Sequence, residues 1–133
     1  MTAYLREVID VTAVVVSGSY DKPKFDASIE TLNFQKYAVG QILQWTGGVD
    51  GILNEVQLPY MLLIHAGSLL TPTMLETAYP LLTSSDADVI RTSCKEVQHP
   101  PYFIGHSLIK MDALYANREP EIVDIDFIGA MCS

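Results

Sequence analysis

Apolar residues in this chain gather into short unbroken runs, separated by stretches in which they recur every three to four positions. Tyr60–Ile64 is a five-residue apolar run stopped by His65-Ala66-Gly67-Ser68. Its length and lack of polar alternation predict a central strand buried on both faces rather than a helix. Val11–Ser17, β-branched and nearly continuous, predicts a first strand of the same kind, closed by the turn Gly18–Asp21. Pro23 then opens a helix whose buried stripe is Phe25, Ile29 and Leu32, at i, i+4 and i+7.

A second strand is expected over Gly40–Trp45, and a short helix over Gly51–Val56, capped by Asp50 and stopped by Pro59. After the central strand, Thr71 as cap and Pro72 at the first position predict a third helix, with Leu75, Ala78, Tyr79 and Leu82 on one face. Pro80 should kink it or end it near Tyr79. Ala87–Ser93 and Tyr102–Ile104 read as strands, Lys110–Tyr115 as a helix, and Pro120–Ser133 as an acidic and then apolar end. Strands alternating with helices predict an α/β domain: a mostly parallel sheet with helices on both faces, Rossmann-like. No repeat or linker divides residues 1–133, which are expected to form a single domain.

Charge narrows the partners. Sixteen acidic residues against eight basic ones give a formal net charge of -8, and no basic run is present. That disfavours a nucleic-acid backbone as ligand. No apolar stretch approaches the roughly 18 to 20 residues of a membrane span, and acids occupy the place of a signal peptide's apolar centre. Cys94 and Cys132 stand apart with no zinc spacing. A cytoplasmic chain with reduced thiols is the expectation.

Several segments, in order, resemble the amino-terminal, nucleotide-binding part of GT-A glycosyltransferases, in the large inverting family that includes cellulose-synthase-like enzymes. Val14 to Pro23 is similar to that family's first strand and turn, VIIPTYNRP. Ile29 to Gln35 resembles its I-x-S-L-x-x-Q helix end, and Trp45 to Gly51 sits where DDGSTDG stands. Tyr60 to Pro72 is similar to Y-I-L-F-L-D-A-D-D-L-L-x-P, and Asp86 to Val89 to the DADVV strand. Ser107 to Leu114 resembles FRREAL, and Val123-Asp124-Ile125-Asp126 resembles E-D-x-D. The likeness spans roughly residues 10 to 128 and implies a GT-A-like three-layer sandwich, truncated before the acceptor-binding structure.

The resemblance also implies a site, and the chain departs from it. Where the family has a base-binding carboxylate after the second strand, Trp45 and Thr46 stand. The two D-x-D positions are His65 and Gly67, with Ser68 next. Mg²⁺ and Mn²⁺ want hard oxygen ligands, which glycine and a neutral imidazole do not supply, so no metal and no cofactor are expected. Asp124 matches the first Asp of E-D-x-D and is the candidate general base; Val123 replaces the Glu. Ser17, Ser19, Trp45, His65, Ser68 and Asp126 are the candidate nucleotide-sugar-binding residues.

Two functions are open on these grounds. One is a degenerate, non-catalytic glycosyltransferase-like module that binds or builds within a larger protein assembly, a virion component being one form. The other is a small metal-independent glycosyltransferase using a nucleotide-sugar donor and Asp124. A low charged fraction (18%) and the apolar Tyr102, Phe103, Phe127, Ile128 and Met131 point to a protein partner or homo-oligomer.

Overall fold

A computed structural model describes residues 6–46, 51–70, 72–94 and 106–131. In chain order it contains β1 (Glu7–Ser17), α1 (Lys22–Leu32), β2 (Tyr37–Thr46), α2 (Ile52–Glu55), β3 (Tyr60–His65) and β4 (Leu69–Leu70). These are followed by α3 (Met74–Ser84), β5 (Val89–Cys94), β6 (His106–Lys110), α4 (Met111–Tyr115) and β7 (Ile122–Met131). One sheet holds all seven strands in the order β2-β1-β3-β6-β5-β7-β4. β1, β2, β3, β5 and β7 run one way; β6 and β4 run against them. The mostly parallel α/β sheet is therefore present, with the antiparallel β6 wedged between β3 and β5.

Two packed layers explain why β1 is apolar on both faces. Ile9, Val11, Ala13 and Val15 join Leu62 and Ile64 of β3 beneath α1 and α3, which contribute Phe25, Leu32, Met74, Leu75, Ala78 and Leu82. Val14 and Val16 turn the other way, to Met61, Leu63 and Ile109 and to Ile52 of α2 and Met111 of α4. Helices thus cover both faces of the sheet. Phe25, Leu62 and Leu75 are fully buried, each contributing about 1.5–3 kcal/mol of apolar transfer. The helix N-terminus that positions Phe25 is set by Asp21, whose side chain accepts the Lys24 N–H at 3.2 Å, with Pro23 in the first turn.

Glycine matters at Gly40. The β1–β2 register slips between Ile9 and Thr12, so two residues of β1 face Gly40 alone. A Cβ there would lie 2.7 Å from Leu58 Cδ1 and 3.2 Å from the Ile9 carbonyl oxygen.

The third helix departs from expectation at both ends. It starts at Met74, after a turn at Pro72 and Thr73; Thr71 lies outside the described residues. The donor at its start is satisfied from another element: the buried Gln35 presents Oε1 to the Leu75 N–H at 3.1 Å. Nor does the helix end near Tyr79. It continues through Pro80 to Ser84, with buried Leu82 holding the turn beyond the proline and the Thr83 and Ser84 hydroxyls donating to the Pro80 carbonyl.

The short second helix is Ile52–Glu55, with no side-chain cap bond; Asp50 lies outside the described residues. So does the expected strand at Tyr102–Ile104. The acidic-then-apolar end is not left as a tail: Ile122–Met131 forms β7, parallel to β5. No helix among the described residues is long and apolar enough to cross a membrane.

Candidate ligand crevice at the carboxyl ends of the strands

From β1 the chain moves through α1 to β2 at the sheet edge; from β3 it moves the opposite way, toward β5. Neighbouring parallel strands whose connections leave in opposite directions open a crevice outside their carboxyl ends, where ligands of open α/β sheets bind. Here that crevice lies between Ser17–Asp21, following β1, and His65–Ser68, following β3. Val16 pairs with Trp45 on one side and His65 on the other, so the three residues form one row across β2, β1 and β3. Paired residues in register project from the same face.

The two loops differ in their surroundings. At Gly18 an added Cβ would meet nothing within 4 Å, so the β1 loop is open to solvent on that side. The β3 loop is tied down. Ala66 N–H donates to the Val16 carbonyl at 2.8 Å, and Ser68 N–H closes a turn on the His65 carbonyl at 3.1 Å. Gly67 has φ 95°, a conformation that favours glycine. Its N–H is shared between the Lys24 carbonyl at 3.1 Å and the Ser28 hydroxyl at 2.9 Å, and Ser28 Oγ donates to the Ser68 carbonyl at 2.8 Å. Thr31 Oγ1 accepts the Leu70 N–H at 3.2 Å.

The structure therefore brings Ser17, Ser19, Trp45 and His65 to one end of the sheet. Ser19 is exposed; Ser17, Trp45 and His65 are half-buried. Trp45 packs in the layer under α2, close enough that a Cβ on Gly51 would lie 2.9 Å from its Cζ2. Ser68 is completely buried and its hydroxyl has no hydrogen-bond partner, so its side chain stands behind the crevice wall. Asp124 is elsewhere. The register Leu63–Ser107–Arg91–Asp124 carries its backbone three strands beyond β3, about 14 Å sideways, and two residues short of the His65 level. Asp126 is on the same strand; the side chains of both lie outside the description.

A cleft of about 500 Å³ sits at the other end of the sheet, where β5 and β7 begin, lined by Asp86, Asp88, Lys110, Asp112, Arg118 and Glu121. Asp88 is buried, and the Arg118 guanidinium and then the Glu121 N–H hold its carboxyl down at about 2. Strand ends of the opposite polarity separate this cleft from the crevice. Among the described residues no group of three or more His, Cys, Asp or Glu is placed to hold a metal ion.

Sequence reasoning missed Ser28 and Thr31. With Lys24 they form a ridge at i, i+4 and i+7, the spacing of the Phe25–Ile29–Leu32 stripe shifted by one residue.

No protein-family model matches the chain, and no curated protein does. Solved structures do. Staphylococcus aureus TarS, residues 1–349, superposes with a TM-score of 0.68 at 12% identity, over 94% of this chain and 60% of that one. The same protein with UDP-GlcNAc gives 0.67 at 10% identity, over 93% and 58%. The mannosyltransferase PcManGT of Pyrobaculum calidifontis, in complex with GDP-Man and Mn²⁺, gives 0.58 at 13% identity, over 80% and 46%. The fold is that of GT-A-type glycosyltransferases. The chain spans about 60% of the length of TarS 1–349.

Proposed function

We propose that this chain is a glycosyltransferase-like binding module that takes a nucleotide or nucleotide sugar between β1 and β3 without a divalent cation, and that it does not transfer the sugar. The observation carrying this reading is the turn at Gly67. Gly67, which the resemblance aligns with the second D-x-D position, has φ 95° and no side chain, and its N–H is engaged by α1. His65 at the first position offers one imidazole, a poor match for the hard cations that accompany diphosphates. The proposed ligand class is taken from the structural neighbours, whose complexes contain UDP, UDP-GlcNAc and GDP-Man.

The distance of the Asp124 backbone from the crevice supports a non-catalytic role over the metal-independent transferase. The module reading extends to work beside a protein partner or a second copy. Leu114, Tyr115, Ile122 and Val123, exposed on α4 and the start of β7, are among the exposed apolar residues described; Tyr102 and Phe103 and the side chains of Phe127, Ile128 and Met131 lie outside the description.

Calorimetry with UDP-GlcNAc and GDP-Man, with and without Mn²⁺, tests the proposal. Binding whose affinity is the same in both conditions, with no sugar released or transferred, is the expected result. Micromolar binding that appears only with Mn²⁺ would overturn it, as would a transfer activity abolished by Asp124→Asn.

A further inference from the structure

We infer that Ser28, a fully buried α1 residue remote from solvent, is a positioning residue for the crevice: it sets the shape of the His65–Ser68 loop and thereby the placement of His65. The inference rests on the reading of that crevice as a ligand site. Three features carry it. The Ser28 hydroxyl is saturated in both senses, accepting from Gly67 N–H at 2.9 Å and donating to the Ser68 carbonyl at 2.8 Å, thirty-nine and forty residues away. The peptide it grips is the one with φ 95°, a backbone conformation that persists only where its surroundings hold it. The grip also extends along one ridge of α1. The Lys24 carbonyl takes the same Gly67 N–H, and Thr31 Oγ1 takes the Leu70 N–H while donating to the Ser28 carbonyl at 2.7 Å.

These bonds make α1 and the β3 loop one body. The first turn of α1 follows directly from the Ser17–Asp21 loop, so both walls of the crevice are referred to a single helix. A buried hydroxyl engaged at both ends is costly to lose, because truncation leaves a buried carbonyl without its donor. The loss is local, since β1 and β3 keep their own ladder.

Ser28→Ala is the test, read in two ways. By amide hydrogen exchange, Gly67 and Ser68 should exchange at least about tenfold faster, while Ala13 and Leu62 in the strands keep their protection. In the same sample the His65 imidazole resonances should move. By calorimetry, UDP-GlcNAc should bind about tenfold more weakly to Ser28→Ala, and Ser28→Ala should have no further effect in a His65→Ala background. Ser28→Cys, which keeps a side chain of similar shape but replaces the hydroxyl by a weak donor and acceptor, should speed exchange at Gly67 in the same direction and reads the same grip if Ser28→Ala does not fold; Thr31→Val should speed exchange at Leu70 and leave Gly67 slow. Unchanged exchange at Gly67, or an equal loss of affinity with and without His65, overturns the assignment. A wild-type protein that binds no nucleotide sugar would refute the functional reading alone, leaving the exchange and imidazole signals to decide the role of Ser28.

Discussion

Asp88 and Arg118, thirty residues apart in sequence, are joined by two parallel hydrogen bonds, Nη1 to Oδ2 at 2.6 Å and Nη2 to Oδ1 at 2.9 Å. The carboxylate also takes the Glu121 N–H at 2.8 Å, while the Asp88 N–H donates to the Glu121 carbonyl at 2.7 Å. One buried acid thus fastens the segment between α4 and β7 to the start of β5. Fork-to-fork pairing of this kind orients as well as attracts.

That arrangement makes stability depend on acid. The Asp88 carboxyl ionises at about 2 in the fold against an ordinary 3.8, so the folded state favours its charged form. The contribution is complete above about pH 4 and is lost as pH falls through about 2. Asp88→Asn should therefore be less stable than wild type at pH 6, with the gap in urea midpoint narrowing steadily from pH 4 to pH 2. A gap that stays constant across that range would mean that the charge is not what holds the segment.

Pro80 supplies the second prediction. It is exposed within a continuous helix, where it contributes no N–H and leaves the carbonyl of Glu76 without its usual donor. The helix persists because Met74, Leu75, Ala78 and Leu82 are all buried against the sheet. Pro80→Ala should then stabilise the protein by about 1–3 kcal/mol, measured by urea denaturation. No gain would show that the flanking helix has already relaxed around the proline.

The same helix marks where the sequence could be read and where it could not. β1, β3 and the Phe25 stripe were legible because burial on two faces, or on one helical stripe, leaves a pattern in apolar residues alone. Pro80 left a kink and a stop both open for the third helix; the burial of Leu82 beyond the proline carries the helix on to Ser84. β6, His-Ser-Leu-Ile-Lys, carries only two apolar residues, and β4 is two residues long, so neither shows a period. In the crevice, His65 and Trp45 could be placed from their strand ends. The Ser28 grip on Gly67 and the Gln35 cap on Leu75 could not, since each joins polar groups about forty residues apart. Asp88 was visible only as a residue at the start of the Ala87–Ser93 strand; its partner Arg118 lies thirty residues on and is brought to it by the fold.

The bulge at Gly40 gives a third prediction. The nearest obstacle to a Cβ is the end of the Leu58 side chain, which can turn aside, but the next is the Ile9 backbone carbonyl, which cannot without shifting β1. Gly40→Ala should cost about 1–3 kcal/mol, the range for overpacking. The β1–β2 register should persist, because it is fixed on both sides of the bulge. A neutral result in thermal denaturation would show that the strand edge gives way freely.

Gly18 and Gly67 make opposite predictions on the two sides of one crevice. Gly18 lies outside the left-handed region and an added methyl meets no atom within 4 Å, so alanine fits the native backbone there. Gly18→Ala should stabilise by about 0.4–1 kcal/mol, because it restricts the unfolded chain without straining the folded one. Gly67, at φ 95°, cannot accept a Cβ without strain, and Gly67→Ala should destabilise by about 1–3 kcal/mol. Ligand binding separates the two further. If a phosphate approaches the Ser17-Gly18-Ser19 backbone closely, Gly18→Ala should weaken UDP-GlcNAc binding even as it raises the melting temperature. A Gly18→Ala protein that is more stable and binds as wild type would exclude close approach at the β1 loop and leave the β3 loop as the ligand's main contact. Stability and affinity moving in opposite directions at Gly18, but falling together at Gly67, is the outcome expected of a crevice with one open wall and one fastened wall.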